Sequence, residues 1–371
     1  MSLVELLARV DAAVRPALIS VLPPRLAVAF YSWARQIAVR TLMASSPPQP
    51  VVPPPTLERR LWGIRFRSPL FNAAGMFKHG EGYALAYRQG AGAYLAGTTT
   101  ALPRMGNVRR GIALPFVPYP RSSAASNWLG LPNPGHRAVA QRIASFERYE
   151  AFPIGASVAL DPGDFSIDAL EQLLEGLWRY REAGTDFFEL NESCPNTGDD
   201  HAAMNALSER LRVIAERFIQ PSGAPVLLKI SSDTEAAVIE QIVPLLGELG
   251  YAGVTIGNTS TQYNFHRAMI AASERRTYDY FVQTFGGGIS GAPIRRQVVE
   301  SVSVAARAAA QCPGEFHIIA VGGIANGSHV VTAIETGASL TEWYTGYFER
   351  FAQSGHLVYE TLWQEIIVAQ R

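Results

Sequence analysis

Cysteine is scarce in this 371-residue chain; Cys194 and Cys312 are the only two, and they stand far apart. A disulfide framework is therefore excluded, and a reducing compartment is the default expectation. An excess of charge of one sign is also lacking, with 32 basic residues against 32 acidic ones. That balance leaves no electrostatic footprint for nucleic acid. Long apolar runs are missing as well. Arg9, Asp11, Arg15, Arg35 and Arg40 interrupt the N-terminal ones, so no transmembrane helix is expected. The first residues lack a basic segment followed by an apolar core, so no secretory signal is expected either. No His/Asp/Glu cluster has metal-binding spacing, and no Ser-His-Asp set, nucleophile elbow or Walker loop occurs. What is present is a globular composition, 48% hydrophobic and 17% charged, able to build a large core.

Residues 1–44 read as two short helices. Leu3, Leu6, Leu7, Val10, Val14 and Leu18 recur at helical spacing until Pro23-Pro24. The second helix, over about 26–44, carries Phe30, Tyr31, Trp33, Ile37 and Leu42, and from Arg25 to Thr56 no residue is acidic. Arginine with aromatic and aliphatic groups suits a helix lying on anionic lipid. A pair packed on its own domain or on another subunit is the other reading. Residues 45–59 form a proline-rich linker, expected to be extended.

From residue 60 to 371 short apolar runs alternate with helical segments. Candidate strands lie at 70–74, 93–97, 153–159, 186–191, 225–230, 253–257, 317–321 and 339–344, with candidate helices between them. Eight such units predict an α/β fold, a (β/α)8 TIM barrel preceded by a small helical arm, with a doubly wound sheet as the alternative. Polar or glycine-rich residues follow nearly every strand: Ala74-Gly75 and Lys78, Gly97-Thr98-Thr99-Thr100, Ser157, Asn191–Thr197, Lys229, Asn258-Thr259, Gly322-Gly323 and Thr345-Gly346. Active sites of barrels gather at that face.

The stretch Asn191-Glu192-Ser193-Cys194-Pro195-Asn196-Thr197 projects two carboxamides and a thiol from a strand end. Pro195 keeps the chain extended around them. Such a set can grip a planar, hydrogen-bonding ligand beside an acid/base group; a polar turn with a structural Cys is the plainer reading. Asn127 and Asn258 add two more loop carboxamides. Gly322-Gly323 opens a strand-to-helix turn, and bare glycine backbone at a helix start makes an anion site. Gly286–Gly291 is a further glycine-rich loop. Lys229 closes an apolar strand, where an isolated charge is costly; it neutralises either an anionic ligand or a local carboxylate.

Together these motifs resemble those of dihydroorotate dehydrogenases, most closely the quinone-linked, membrane-associated class. The likeness runs from Trp62 to the C-terminus. It includes Asn72–Glu81, Gly97–Thr100 with Pro103 and Gly106-Asn107, Asn127–Gly130, Asn191–Thr197, Lys229, Asn258-Thr259, Gly288–Gly291, Gly322–Ile324 and Tyr344–Gly346. The resemblance implies an FMN-binding barrel. Ala74, Gly75, Thr98, Ser157, Lys229, Ser290, Gly291, Gly322, Gly323, Tyr344, Thr345 and Gly346 would bind FMN. Asn127, Asn191, Asn196, Asn258 and Thr259 would hold dihydroorotate or orotate. Cys194 takes the position of the catalytic base, and Lys78 sits beside flavin and substrate. Hydride would pass to FMN, a quinone would reoxidise it, and the reaction would serve pyrimidine biosynthesis. The arm would make peripheral contact with the cytoplasmic face of the inner membrane, a soluble cytoplasmic protein being the alternative. No metal is implied.

The chain departs from that pattern at several positions. The quinone-linked class has serine where Cys194 stands, and a thiol is the easier base near neutrality. Glu192 replaces a small or apolar residue and is expected to bring negative charge near an anionic substrate. Phe77 replaces an acidic neighbour of Lys78, and Ser157 replaces an asparagine. Pro118 takes the place of an arginine expected before Asn127, with Arg121 nearby, and Phe348 fills a tunnel position usually small and polar. A paralogous FMN oxidoreductase for another cyclic amide or enone-like substrate, or an inactive flavin-binding scaffold, are the alternative functions.

Overall fold

In the computed structural model, residues 2–369 are described, apart from 48 and 193–200. Helix α1, Leu3–Val21, starts at a capping box in which the Glu5 N–H donates to Ser2 Oγ and the Ser2 N–H donates to Glu5 Oε2 at 2.6 Å. Helix α1 ends just before the proline pair, as expected, and helix α2, Pro24–Met43, begins at it, because Pro24 occupies its first turn, where no N–H is needed. The proline-rich segment then contacts the barrel and ends in a 3-10 turn, Pro55–Leu57. Arg67 donates to the Val51 carbonyl and Arg88 to that of Pro47.

Eight parallel strands follow: β1 Leu70–Asn72, β2 Tyr94–Thr99, β3 Ile154–Val158, β4 Phe187–Asn191, β5 Val226–Ile230, β6 Gly253–Ile256, β7 His317–Val321 and β8 Leu340–Trp343. They pair in the order β1-β8-β7-β6-β5-β4-β3-β2. Every predicted strand is found, and the order is that of a barrel, not of a doubly wound sheet. The strands read as continuous apolar runs because parallel strands under a helical layer are buried on both faces.

The remaining seam, between β1 and β2, is closed by backbone hydrogen bonds at its two ends, Gly92 N–H to the Leu70 carbonyl and Gly97 N–H to that of Phe77, and by a side chain between them. Asn72 Nδ2 donates to the Leu95 carbonyl at 2.7 Å, and its Oδ1 accepts from the Leu95 N–H at 3.2 Å. A parallel bridge between Phe77 and Ala96 extends the closure.

A hairpin of Arg59–Leu61 and Ile64–Phe66 covers the N-terminal end. There Trp62 packs on Phe187 and His317 and donates to the Ala252 carbonyl. At the opposite end lies an antiparallel sheet that the sequence pattern did not predict, made of Phe116–Tyr119, Ala124–Asn127 and Gly288–Gly291. The arm packs on this end. Ile19, Ala27, Val28 and Tyr31 share a core with Val117, Tyr119, Phe281 and Ile289. Ser32 Oγ ties α2 to the sheet by accepting from the Phe116 N–H at 2.9 Å.

Candidate active site

The C-terminal ends of the strands enclose a cavity of about 280 Å³. Sixteen of the residues singled out above line it: Ala74, Gly75, Lys78, Thr98, Asn127, Asn191, Lys229, Asn258, Thr259, Ser290, Gly291, Gly322, Gly323, Tyr344, Thr345 and Gly346. Ser157 lies just beneath, fully buried, bonded to Thr98 Oγ1 at 2.9 Å. Cys194 and Asn196 fall outside the described residues.

Two glycines explain the local shape. Gly75 has φ +92°, and a Cβ there would lie 3.6 Å from Lys78 Cε and 4.0 Å from Tyr344, so its bareness keeps the cavity open. Gly323, at φ +71°, has no room for a Cβ against Arg295. It makes the tight turn between β7 and the helix Gly327–Glu335, and the N-terminus of the ten-residue helix Thr345–Ser354, after β8, faces the same space.

A hydrogen-bonded chain crosses from the cavity rim into the barrel. Asn258 Nδ2 donates to Asn191 Oδ1 at 3.2 Å, and Asn191 Nδ2 donates to Thr98 Oγ1 at 3.2 Å. Thr98 bonds Ser157, and Ser157 Oγ donates to Glu189 Oε1 at 3.0 Å. Lys229 Nζ reaches Glu189 at 3.1 and 3.3 Å and Glu342 Oε2 at 3.3 Å. The carboxylate reading of Lys229 is thus realised, and the residue also lines the cavity. Burial pulls its ammonium down, but Glu189 and Glu342 outweigh that and leave it above the usual lysine value.

Lys78 is the contrasting cation. Desolvation, then the charge of Arg35, lowers it to about 7, with Glu81 opposing. Arg35 enters from α2, donates to the Tyr344 hydroxyl at 2.6 Å and lies over the Phe116 ring. The arm therefore forms one wall of the cavity.

The departures noted in the sequence take definite places. Glu192 does not line the cavity; it is buried and paired with Arg210 at 3.0 and 3.4 Å, so its charge is neutralised away from the ligand space. Phe77 stacks on Tyr94 in the core. Pro118 is buried in the covering sheet, Arg121 is exposed, and Phe348 packs on Tyr344.

A family model for dihydroorotate dehydrogenase matches residues 56–366. The chain belongs to the dihydroorotate dehydrogenase family. It is an enzyme of the oxidoreductase type. It is 31% identical over 307 residues to dihydroorotate dehydrogenase (quinone) of Mycobacteroides abscessus, covering 80% of this chain and 78% of that protein. Dihydroorotate dehydrogenase (quinone) of Mycolicibacterium paratuberculosis is 32% identical over 323 residues, covering 85% and 77%. The crystal structure of DHODH from Eimeria tenella in complex with ferulenol shares the fold, with a TM-score of 0.71, 23% identity and 91% of each chain covered. These family relationships agree with the resemblance read from the motifs.

Three cavity-side residues escaped sequence reading. Arg35 was read only as a basic residue of an interfacial helix. Its spacing, four after the buried Tyr31 and three after the buried Ser32, places it on the inward face of α2. Glu189 and Glu342 sit within apolar strands, where a carboxylate requires a partner; that requirement was the available signal.

Proposed function

We propose that this protein oxidises dihydroorotate to orotate with FMN and passes the electrons to a quinone. The observation that carries the reading is the gathering of sixteen motif residues from all parts of the barrel around one cavity. The residues present fit FMN. Gly322-Gly323 and the helix start at Thr345-Gly346 offer bare backbone and a helix N-terminus for a phosphate. Gly75 leaves room at the Lys78 side, and Glu342 Oε1 is a buried polar atom with no partner among the described residues.

When bound, FMN supplies the hydride-accepting chemistry. Asn127, Asn191, Asn258 and Thr259, with Asn196, hold the planar ring of the substrate through paired donors and acceptors. Lys78 meets its carboxylate. Cys194 removes the C5 proton while C6 gives up hydride, a thiol being more readily ionised near neutrality than a hydroxyl. Orientation by the carboxamides brings the reacting atoms together.

The acceptor reading is supported by the quinone-type relatives and by the arm forming a cavity wall. Arg35, bonded to the Tyr344 hydroxyl, supports this reading as a donor that would meet an acceptor carbonyl. No described helix is long and apolar enough to cross a membrane. The arm instead leaves Leu3, Leu7, Val10, Leu26, Phe30 and Trp33 exposed, which supports peripheral contact with a lipid surface.

Anaerobic mixing with dihydroorotate tests the reaction: the flavin absorbance should bleach and recover on adding a quinone. A flavin that stays oxidised sinks the proposal. For the arm, Leu7→Glu with Trp33→Glu should release the protein from anionic vesicles, and unchanged binding refutes lipid contact there.

A further inference from the structure

The barrel centre holds one ammonium against two carboxyls. Lys229, Glu189 and Glu342 side chains are 4, 2 and 1% exposed, so water stabilises none of them. With both carboxyls ionised, the group would carry an uncompensated negative charge, which is far costlier to bury than a neutral acid. One proton must therefore reside on the pair, and the geometry says where. Glu189 receives two of the three Lys229 contacts and the Ser157 hydroxyl, so its charge is well satisfied. Glu342 receives one contact at 3.3 Å through Oε2. Its Oε1 is buried without a partner, and the residue lines the cavity.

We propose that Glu342 is a neutral carboxylic acid that keeps its proton in the cavity floor and donates a hydrogen bond from it to the ring of the bound cofactor. This rests on the flavin reading given above. Desolvation first, then the Glu189 charge, hold the Glu342 carboxyl far above the usual range, with Lys229 opposing. Among the described residues, the ionisable groups bonded to Lys229 or to Glu342 are confined to this triad; Lys78 and Arg35 line the same cavity.

The Lys229 charge is already balanced by Glu189, so it cannot serve alone as counter-ion to a ring that has gained hydride. Glu342 meets the ring as a hydrogen-bond donor instead: it keeps its proton, because losing it would leave Glu189 and Glu342 both ionised against one buried ammonium. The Ser157 hydroxyl, itself bonded to Thr98, donates to Glu189 and helps keep the charge of the pair on that carboxylate.

The test is reduced-minus-oxidised infrared difference spectroscopy on the full-length holoenzyme. A protonated-carboxyl C=O band, shifted in D2O, should move to a new frequency on reduction as its hydrogen bond to the ring changes strength. It should be missing in Glu342→Gln, which keeps the shape and still retains flavin. It should also be missing in Glu189→Gln, because Glu342 then becomes the sole counter-ion of Lys229 and ionises. A wild-type spectrum with no carboxyl C=O signal, net loss of that band on reduction, or a band that survives in Glu342→Gln, overturns the proposal. If neither variant folds, the wild-type band alone decides. Should the purified chain carry no FMN, the flavin reading fails separately. The absolute infrared spectrum at pH 8, where ordinary carboxyls are ionised, then still reports whether the buried acid exists.

Discussion

The sharpest consequence of the site concerns Lys78. Its ammonium is lowered to about 7 by desolvation and by Arg35. Set against the ordinary 10.5, that represents up to about 5 kcal/mol of disfavoured charge, an upper bound because cavity water screens part of it. At pH 8 about nine in ten Lys78 side chains in the ligand-free protein are then neutral. An anionic ligand reverses the balance, since an opposite charge within a few ångströms favours the ammonium. Orotate binding at pH 8 should therefore take up close to one proton per site. Calorimetry in two buffers of different ionisation enthalpy measures this directly. The uptake should shrink toward zero at pH 6, where the lysine already holds its proton, and vanish in Lys78→Met. Arg35→Gln should reduce it at pH 8 by raising the lysine in the free protein. Equal heats in both buffers at pH 8, or undiminished uptake in Lys78→Met, would refute the reasoning. The linkage to stability has a definite sign. The unfolded chain keeps this proton up to 10.5 and the folded one loses it near 7, so the Lys78 contribution to stability rises with pH across that window.

Glu349 should act oppositely at lower pH. Desolvation raises it to about 7, Arg15 and a Ser123 hydrogen bond lower it, and Glu274 raises it. The folded state then binds the extra proton between 4.5 and about 7, so stability falls by up to about 3 kcal/mol as pH rises through that window. Chemical denaturation against pH should show this slope, and Glu349→Gln should flatten it. Asn72→Leu should cost about 2–4 kcal/mol by leaving the Leu95 N–H and carbonyl unpaired at the barrel seam, and urea unfolding with a loss under about 1 kcal/mol contradicts that. Arg210→Leu should cost about 3–5 kcal/mol, because it strands the buried Glu192 carboxylate, and Arg210→Lys should restore part of the loss.

The barrel was legible because its physics is local. Each strand is an apolar run ended by glycine or a polar residue, and each helix repeats at its own period. The covering sheet was not. Its strands are four residues long, and one of them looks like a glycine loop. Gly288 and Gly291 are strand residues because a Cβ would meet Thr259 Oγ1 at 2.0 Å and the Ser123 carbonyl at 2.2 Å. Glycine there records close approach rather than flexibility. The same division holds for the site. Strand-end residues declare themselves by position, whereas the partners of Lys229 lie 40 and 113 residues away and only folding brings them together.

Alternation along β4 resolves the charge question that Glu192 raised. Successive side chains of a strand point to opposite faces. Glu189 and Asn191 point inward, to the barrel centre and the cavity, and Glu192 continues the alternation outward to Arg210. The triad sums to zero if Glu342 keeps its proton. The charges left to greet a ligand are then Arg35 and a titrating Lys78, both positive, together with the helix start at Thr345. A cavity of that sign favours a ligand carrying both a carboxylate and a phosphate-bearing cofactor, and it does so although the whole chain is electrically neutral. Neutrality of the sequence excluded a polyanion partner, but it said nothing about this local field. That field is created by which carboxylates the fold withdraws into pairs, and Glu192 and Glu189 are two of those withdrawn.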